Sequence, residues 1–316
     1  MITVAVTGAT GFIGRHLVVA LLREGVTVRA LTRRAGPALT TADGLHWVEG
    51  AIANPATWRE LLVPGCILIN LAYSGETAAS AALAETQLMV EACATAQVKR
   101  LVHCSTVSVY GRSANTLLDE SAACRPSNDY GRVKLAIERT ILSSVAGRFE
   151  TVLVRPSAVF GFDGEALVKL AEDLLRQPQW LNYLRSSLFG ARHTHLVPVE
   201  TVVAALWHCS WSPLIENGAV VVISDDDDPL NNFWDVERLL IEGLGLPPYP
   251  LPRLPVPRQF LELLLRLRGR ANVDTRTRYL GDRLRQSGFV KPVTFATALR
   301  QFARVYRDRA TTKPAI

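Results

Sequence analysis

The chain has 316 residues, 48% hydrophobic and 20% charged, a composition that suits a globular protein of one large or two coupled domains with a sizeable core. Its net charge of +6 and pI near 9.2 come from arginines scattered along the chain, not from a basic arm of the kind that binds nucleic acid. The five cysteines (Cys66, Cys93, Cys104, Cys124, Cys209) are odd in number and form no C-x-x-C, which leaves out a zinc site or a disulfide framework and fits reducing, cytoplasmic surroundings.

No apolar run reaches the roughly 18 residues of a membrane span, and the opening "MITVAVTGAT" lacks the charged n-region of a signal peptide. Ile2 to Val6 is a short β-branched run and reads as a buried strand. It runs into "TGATGFIG", with glycines at Gly8, Gly11 and Gly14, and then into "FIGRHLVVALLREG", a helical pattern that stops at Gly25. Further strands are expected at Val26 to Leu31, in "LHWVEG", at Cys66 to Ala72, at Arg100 to Thr106 and at Thr151 to Pro156. Helical segments lie between them, notably Ala78 to Gln97 and Asn128 to Ala146. Strand alternating with helix predicts an α/β fold, a doubly wound parallel sheet with helices on both faces.

Three glycines between a first strand and a first helix have a physical reading. Gly8 permits a tight turn, Gly11 lets a pyrophosphate approach the backbone, and Gly14 lets the helix pack closely on the sheet. The helix N-terminus then presents free N–H groups to the anion. After the second strand comes "RALTRRAG", with Arg29, Arg33 and Arg34 and no acid. An acid there would bond a ribose 2′-hydroxyl, whereas an arginine suits a 2′-phosphate, so NADP is expected ahead of NAD, with Arg33 as the clamp.

With these motifs in view the sequence resembles the extended branch of the short-chain dehydrogenase/reductase superfamily, which includes nucleotide-sugar epimerases, dehydratases, ketoreductases and hydroxysteroid dehydrogenases. The resemblance rests on G-x-x-G-x-x-G, on "VHCSTVSVYG" (Val102 to Gly111), on "DYGRVKLAIE" (Asp129 to Glu138) and on "VRPSAVFG" (Val154 to Gly161), in the family's order. It implies a Rossmann domain over residues 1–160 and a smaller, mainly substrate-binding lobe over 161–316, interleaved with it. Tyr130 and Lys134 stand at i and i+4, on one helix face. A phenol with a pKa of about 10 is a poor base near neutrality, and a nearby ammonium and an oxidised nicotinamide favour its anion.

The resemblance makes Thr106, Tyr130 and Lys134 the catalytic set, with Ser105 the runner-up to Thr106. Thr106 would hold the substrate oxygen, Tyr130 relay the proton, and Lys134 tune Tyr130 and hold the nicotinamide ribose. It also places Thr10, Phe12, Ile13, Leu71, Ala72, Ser105, Pro156 and Val159 around the cofactor. Tyr73, Thr106 and Arg192 would face the substrate. Three positions depart from the family pattern: Ala51 stands for an Asp near the adenine, Glu200–Thr201 for Asp-Asp, and Ala82 for an Asn.

The second half says less. "HTHLVPV" and "GAVVVIS" read as short strands returning to the substrate lobe, and "PLNNFWDVERLLIEGLGLPPYPLP" holds a helix. Pro257 to Arg270 is apolar on one side and basic on the other, a lid over the substrate or a helix on a membrane surface. Asp225 to Asp228 lacks the glycine and distal glutamate of a calcium loop and reads as an acidic turn. His193 and His195 alternate, so they share a face for substrate or solvent, and no metal site is expected. The expected function is NAD(P)-dependent hydride transfer at a secondary alcohol or ketone, of a nucleotide-diphosphate sugar by analogy with the branch. A hydroxysteroid or sterol dehydrogenase is the alternative, suggested by the F-W-D stretch and the apolar run Leu261 to Leu267. A non-catalytic NAD(P)-sensing protein is a third reading. Homodimerisation through the helices after the fourth and fifth strands is implied by the resemblance.

Overall fold

The computed structural model describes residues 2–34, 36, 41–73, 79–111, 113, 115–145, 147–190, 192–252, 254, 256 and 277–312. The basic apolar segment 257–270, expected as a lid or surface helix, lies outside them.

The first half of the chain lays down strands β1 (Thr3–Thr7), β2 (Thr27–Thr32), β3 (Leu45–Glu49), β4 (Ile67–Asn70) and β5 (Arg100–Cys104). Helices α1 (Phe12–Arg23), α2 (Pro55–Leu61) and α3 (Ala79–Thr95) are interleaved with them. A two-residue strand β6 (Leu117–Leu118) precedes α4 (Asp129–Val145) and β7 (Glu150–Pro156). Then follow β8 (Ala158–Phe160), α5 (Val168–Arg176), α6 (Gln179–Phe189), β9 (Leu196–Pro198) and α7 (Val199–Trp211). The chain continues through β10 (Ala219–Ile223), α8 (Phe233–Leu244), β11 (Arg278–Tyr279), α9 (Asp282–Gln286) and α10 (Phe295–Thr312).

Seven strands form one sheet in the order β10-β7-β5-β4-β1-β2-β3, with every pairing parallel. Strand order reverses between β1 and β4, the crevice where open α/β sheets bind ligands at their carboxyl edge. The strands are apolar on both sides because both sides are covered. Val4, Val6, Val28, Ile69 and Val154 pack against α1 and α7; Ala5, Leu31, Leu68, Leu101 and Leu153 pack against α2, α3 and α4. A third core joins α5, α8 and α10 through Leu174, Leu239, Leu240, Leu299 and Phe302. Gly243 lets α8 and α10 approach, since a Cβ there would lie 2.5 Å from the Cβ of Ala303. Among the described residues no helix is long and apolar enough to cross a membrane.

One strand differs from expectation. "GAVVVIS" does not return to the smaller lobe; it forms β10, the sheet's edge, in register with β7 from Ala219 opposite Val152 to Ile223 opposite Pro156. An apolar β-branched run identifies a strand but not its neighbour, which α7 selects by carrying the chain back across the sheet. Asp225 to Asp228 do form a turn after β10, yet Asp225 and Asp226 are buried rather than solvated.

α4 is fixed to the sheet by a buried ion pair. Arg155 of β7 donates from Nε (3.0 Å) and Nη2 (2.6 Å) to the two carboxylate oxygens of Glu138, and both side chains are buried. The fork geometry is the strongest form of such a pair. Replacing Glu138 by Gln leaves a buried guanidinium without its counter-ion. The expected loss is about 3–5 kcal/mol of unfolding free energy, read in urea denaturation. A loss no greater than that on breaking the exposed Arg148–Glu91 pair would contradict it.

Candidate active site

The turn after β1 is shaped by its glycines. Gly8 has φ +66, and a Cβ there would lie 2.9 Å from the Leu71 carbonyl carbon. A Cβ on Gly14 would lie 2.1 Å from the Gly8 carbonyl oxygen, so α1 reaches the turn only because Gly14 has none. Gly11 is the N-cap of α1, with no side chain to cap it and no acid in the first turn. The first N–H groups of a helix have no intrahelical partner. Here they stay available to an anion, which the dipole also favours. Thr10 is exposed on this turn; Ile13 packs inward, and the Phe12 ring would meet a Cβ on Gly164 at 2.6 Å. Leu71 and Ala72 close the other side, the Ala72 N–H donating to the Thr7 hydroxyl at 3.2 Å.

β5 delivers Ser105 and Thr106 to the same edge. Ser105 N–H extends the sheet by bonding the Val154 carbonyl at 2.7 Å, while its hydroxyl is buried and finds no partner among the described residues. Thr106 caps a single 3-10 turn, Val107–Val109, its Oγ1 accepting from Ser108 N–H at 3.2 Å. The Thr106 hydroxyl lowers the Tyr130 pKa, against the larger effect of burial. Tyr130, at the start of α4, is 41% exposed and packs edge-on against Tyr73 with ring centroids 5.3 Å apart. Lys134, one turn on, is buried; its Nζ donates to the Cys104 carbonyl at 3.0 Å and lies 4.6 Å from the Tyr73 ring centre. The expected residues Thr106, Tyr130, Lys134 and Tyr73 therefore converge.

The electrostatics differ from expectation in one respect. Burial pushes the Tyr130 phenol above its ordinary value, and the Thr106 hydroxyl opposes this without overcoming it. The Lys134 ammonium is held by the Cys104 carbonyl, and burial pulls its own pKa down.

Other expected residues are spread along the edge. Arg33 is exposed at the end of β2. Arg29 points to α2, where Nε donates to the Leu61 carbonyl at 3.0 Å and Nη2 to that of Glu60, so it is no phosphate clamp. Pro156 ends β7 and Val159 lies in β8, packed against the core beside α7. Arg192 lies between α6 and α8, its N–H on the Phe189 carbonyl and its own carbonyl on Phe233 N–H. Ala51 is exposed after β3, and Ala82 is buried in α3. His193 and His195 do come together, with rings 6.2 Å apart, although the backbone there is not a strand.

A polar ladder under this edge went unread in the sequence. The Thr7 hydroxyl donates to Asn70 Oδ1, and Asn70 Nδ2 lies 2.9 Å from His103 Nδ1. The three side chains cross β1, β4 and β5 on the face covered by α3 and α4. Burial holds the His103 pKa far below its ordinary value, with Lys134 adding to the effect, so the ring is neutral. A polar residue at or next to the end of each apolar run, Asn70 in "CILIN" and His103 in "RLVHC", was the available signal.

Among known families, residues 4–177 match the NAD dependent epimerase/dehydratase family. One relative is 4-hydroxy-2-methyl-3-oxo-4-farnesyl-3,4-dihydroquinoline-1-oxide ketoreductase from Stigmatella aurantiaca, 32% identical over 54% of this chain and 54% of that protein. Another is dTDP-6-deoxy-L-talose 4-dehydrogenase (NAD(P)(+)) from Kitasatospora kifunensis, 35% identical over 50% of this chain and 52% of that protein. The chain spans about half the length of these two curated relatives. The crystal structure of dTDP-glucose 4,6-dehydratase from Bacillus anthracis in complex with NAD has the same fold, with a TM-score of 0.72, 16% identity and 98% of each chain covered.

Without added nucleotide, Tyr130 should titrate above a free tyrosine, because burial disfavours its anion. Ultraviolet difference titration of the wild type against Tyr130→Phe reads this directly. A phenol that ionises below the ordinary tyrosine value would contradict it.

Proposed function

The chain belongs to the NAD dependent epimerase/dehydratase family, and on that premise we propose that it catalyses NAD(P)-dependent hydride transfer between a secondary alcohol and the corresponding ketone. The observation that carries this reading is the convergence of Thr106, Tyr130 and Lys134 at the carboxyl end of β5, beside an uncapped glycine turn. The donor set fits a dinucleotide: Gly8, Gly11 and Gly14 leave room for a pyrophosphate against free N–H groups. Leu71 and Ala72 flank that turn, and Arg33, exposed just after β2, supports a preference for an adenosine 2′-phosphate. A bound nicotinamide supplies the hydride chemistry.

The chain's own residues handle the oxygen and the proton. The Thr106 hydroxyl donates to the substrate oxygen and polarises its bond to carbon. The Tyr130 O–H gives its proton to that oxygen when a ketone is reduced and takes it back when an alcohol is oxidised. Lys134, an ammonium one turn away, stabilises the transient phenolate and bonds the ribose. Its burial strengthens both interactions.

The substrate reading is a nucleotide-diphosphate sugar, acted on by 4-epimerisation or 4-keto reduction. The dTDP-sugar dehydrogenase among the relatives favours it. The farnesylated quinoline ketoreductase favours a lipophilic ketone as the second reading, alongside the sterol class. A panel of UDP-, GDP-, dTDP- and CDP-sugars beside ketosteroids separates the two. Turnover confined to the steroids would overturn the first.

Tyr130→Phe should lower turnover by a factor on the order of 10² to 10⁴ while leaving the cofactor dissociation constant unchanged in calorimetry. Retained turnover would contradict a catalytic phenol. NADPH should bind more tightly than NADH, with the difference lost in Arg33→Ala. Equal or tighter NADH binding by the wild type would contradict the NADP preference.

A further inference from the structure

His195 has φ +55, a left-handed conformation uncommon outside glycine. Asn231, fully buried, imposes it from both sides. Its side-chain oxygen accepts from the Thr194 hydroxyl (2.6 Å) and Leu196 N–H (3.2 Å), and its amide donates to the Leu196 carbonyl at 2.8 Å. Backbone strain held this firmly is characteristic of functional positions. It aims the His195 ring at Asp226, whose side chain is buried: Nδ1 lies 2.6 Å from Asp226 Oδ2. The rest of that carboxylate is satisfied, Oδ2 by Tyr279 N–H at 2.8 Å and Oδ1 by the Asn231 amide at 3.3 Å. The Tyr279 ring stands edge-on to His195 at 5.0 Å and stacks on Tyr110 at 6.0 Å, which fixes the imidazole plane.

A carboxylate only accepts, so the proton between the two groups sits on Nδ1, and in the neutral ring Nε2 is the acceptor. A buried carboxylate behind an imidazole holds this tautomer and strengthens the far nitrogen as an acceptor. No hydrogen bond reaches Nε2 among the described residues, and the side chain is 23% exposed. The pair also stands on the ligand-binding edge. The His195 carbonyl accepts from Ala158 N–H at 2.8 Å, two residues beyond the end of β7, and Asp226 lies three residues beyond the end of β10. β7 adjoins β5, and Thr106 stands two residues beyond the end of β5, so the strand ends that bear the two groups are one to two strand spacings, roughly 5–10 Å, apart across the sheet.

We propose that His195, held by Asp226, is a specificity-determining residue whose Nε2 accepts a hydrogen bond from a substrate hydroxyl other than the one served by Tyr130. The proposal rests on the redox reading of Tyr130 and deepens it. A polyhydroxylated ring offers a second hydroxyl at this range, and a lipophilic alcohol with a single hydroxyl does not.

The test is long-range proton–nitrogen NMR of histidine-labelled full-length protein, saturated with whichever reduced nicotinamide dinucleotide binds more tightly. His195 should be protonated on Nδ1 and bare on Nε2; the opposite tautomer overturns the proposal. Saturating UDP-glucose or dTDP-glucose should move the Nε2 resonance, while UDP and dTDP alone leave it in place. No movement with either sugar, or the same movement with the bare nucleotides, overturns it. For any nucleotide sugar that is turned over, His195→Asn keeps a residue tolerant of positive φ and able to donate to Asp226, but its shorter side chain has no atom at the place of Nε2. Its KM should rise about tenfold, the equivalent of one hydrogen bond, with kcat little changed; an unchanged KM overturns the proposal. Turnover retained in Tyr130→Phe would instead defeat the redox reading, while the NMR result for His195 stands on its own.

Discussion

Everything at the candidate site hangs on how α4 is seated, and the Arg155–Glu138 pair seats it. Tyr130, Lys134 and Glu138 are spaced by four residues, so they share one face of the helix. Clamping Glu138 to β7 turns that face to the sheet and carries Lys134 to the Cys104 carbonyl and Tyr130 to the open edge. The guanidinium also lies 4.8 Å from the Tyr110 ring centre, tying the 3-10 turn behind Thr106 to the same anchor. One buried ion pair thus sets the helix that bears the phenol and touches the turn that bears the threonine.

The second constraint is space rather than charge. Gly8 and Gly14 bring turn and helix into backbone contact, and the Thr7–Asn70–His103 ladder locks three adjacent strands just beneath. These contacts hold the edge beside the glycine turn together. Across it, the smaller lobe presents partly polar elements with their own anchors, the Asp226–His195 pair among them.

Local patterns were legible in the sequence. The glycine spacing and the Tyr130–Lys134 interval express contacts within one turn or one helix, and both stand where the pattern placed them. The alternation of strands and helices likewise announced a parallel sheet. What escaped depends on contacts between distant parts of the chain. "GAVVVIS" was recognisable as a strand, but only its register with β7 makes it the sheet edge. The aspartate run looked solvated, yet Asp226 is buried because His195 and the Tyr279 backbone reach it. The partner of Lys134 is a backbone carbonyl, and no residue type signals that.

The central claim is that the edge between the Gly8–Gly14 turn and Lys134 holds a nicotinamide dinucleotide. Its most direct measurement is mass spectrometry of the small molecules released from purified protein, beside calorimetric titration with NAD, NADH, NADP and NADPH. A co-purifying nicotinamide dinucleotide, or stoichiometric binding of at least one of the four that is abolished in Gly14→Val, is the predicted result. A folded protein that releases none and binds none would contradict the account.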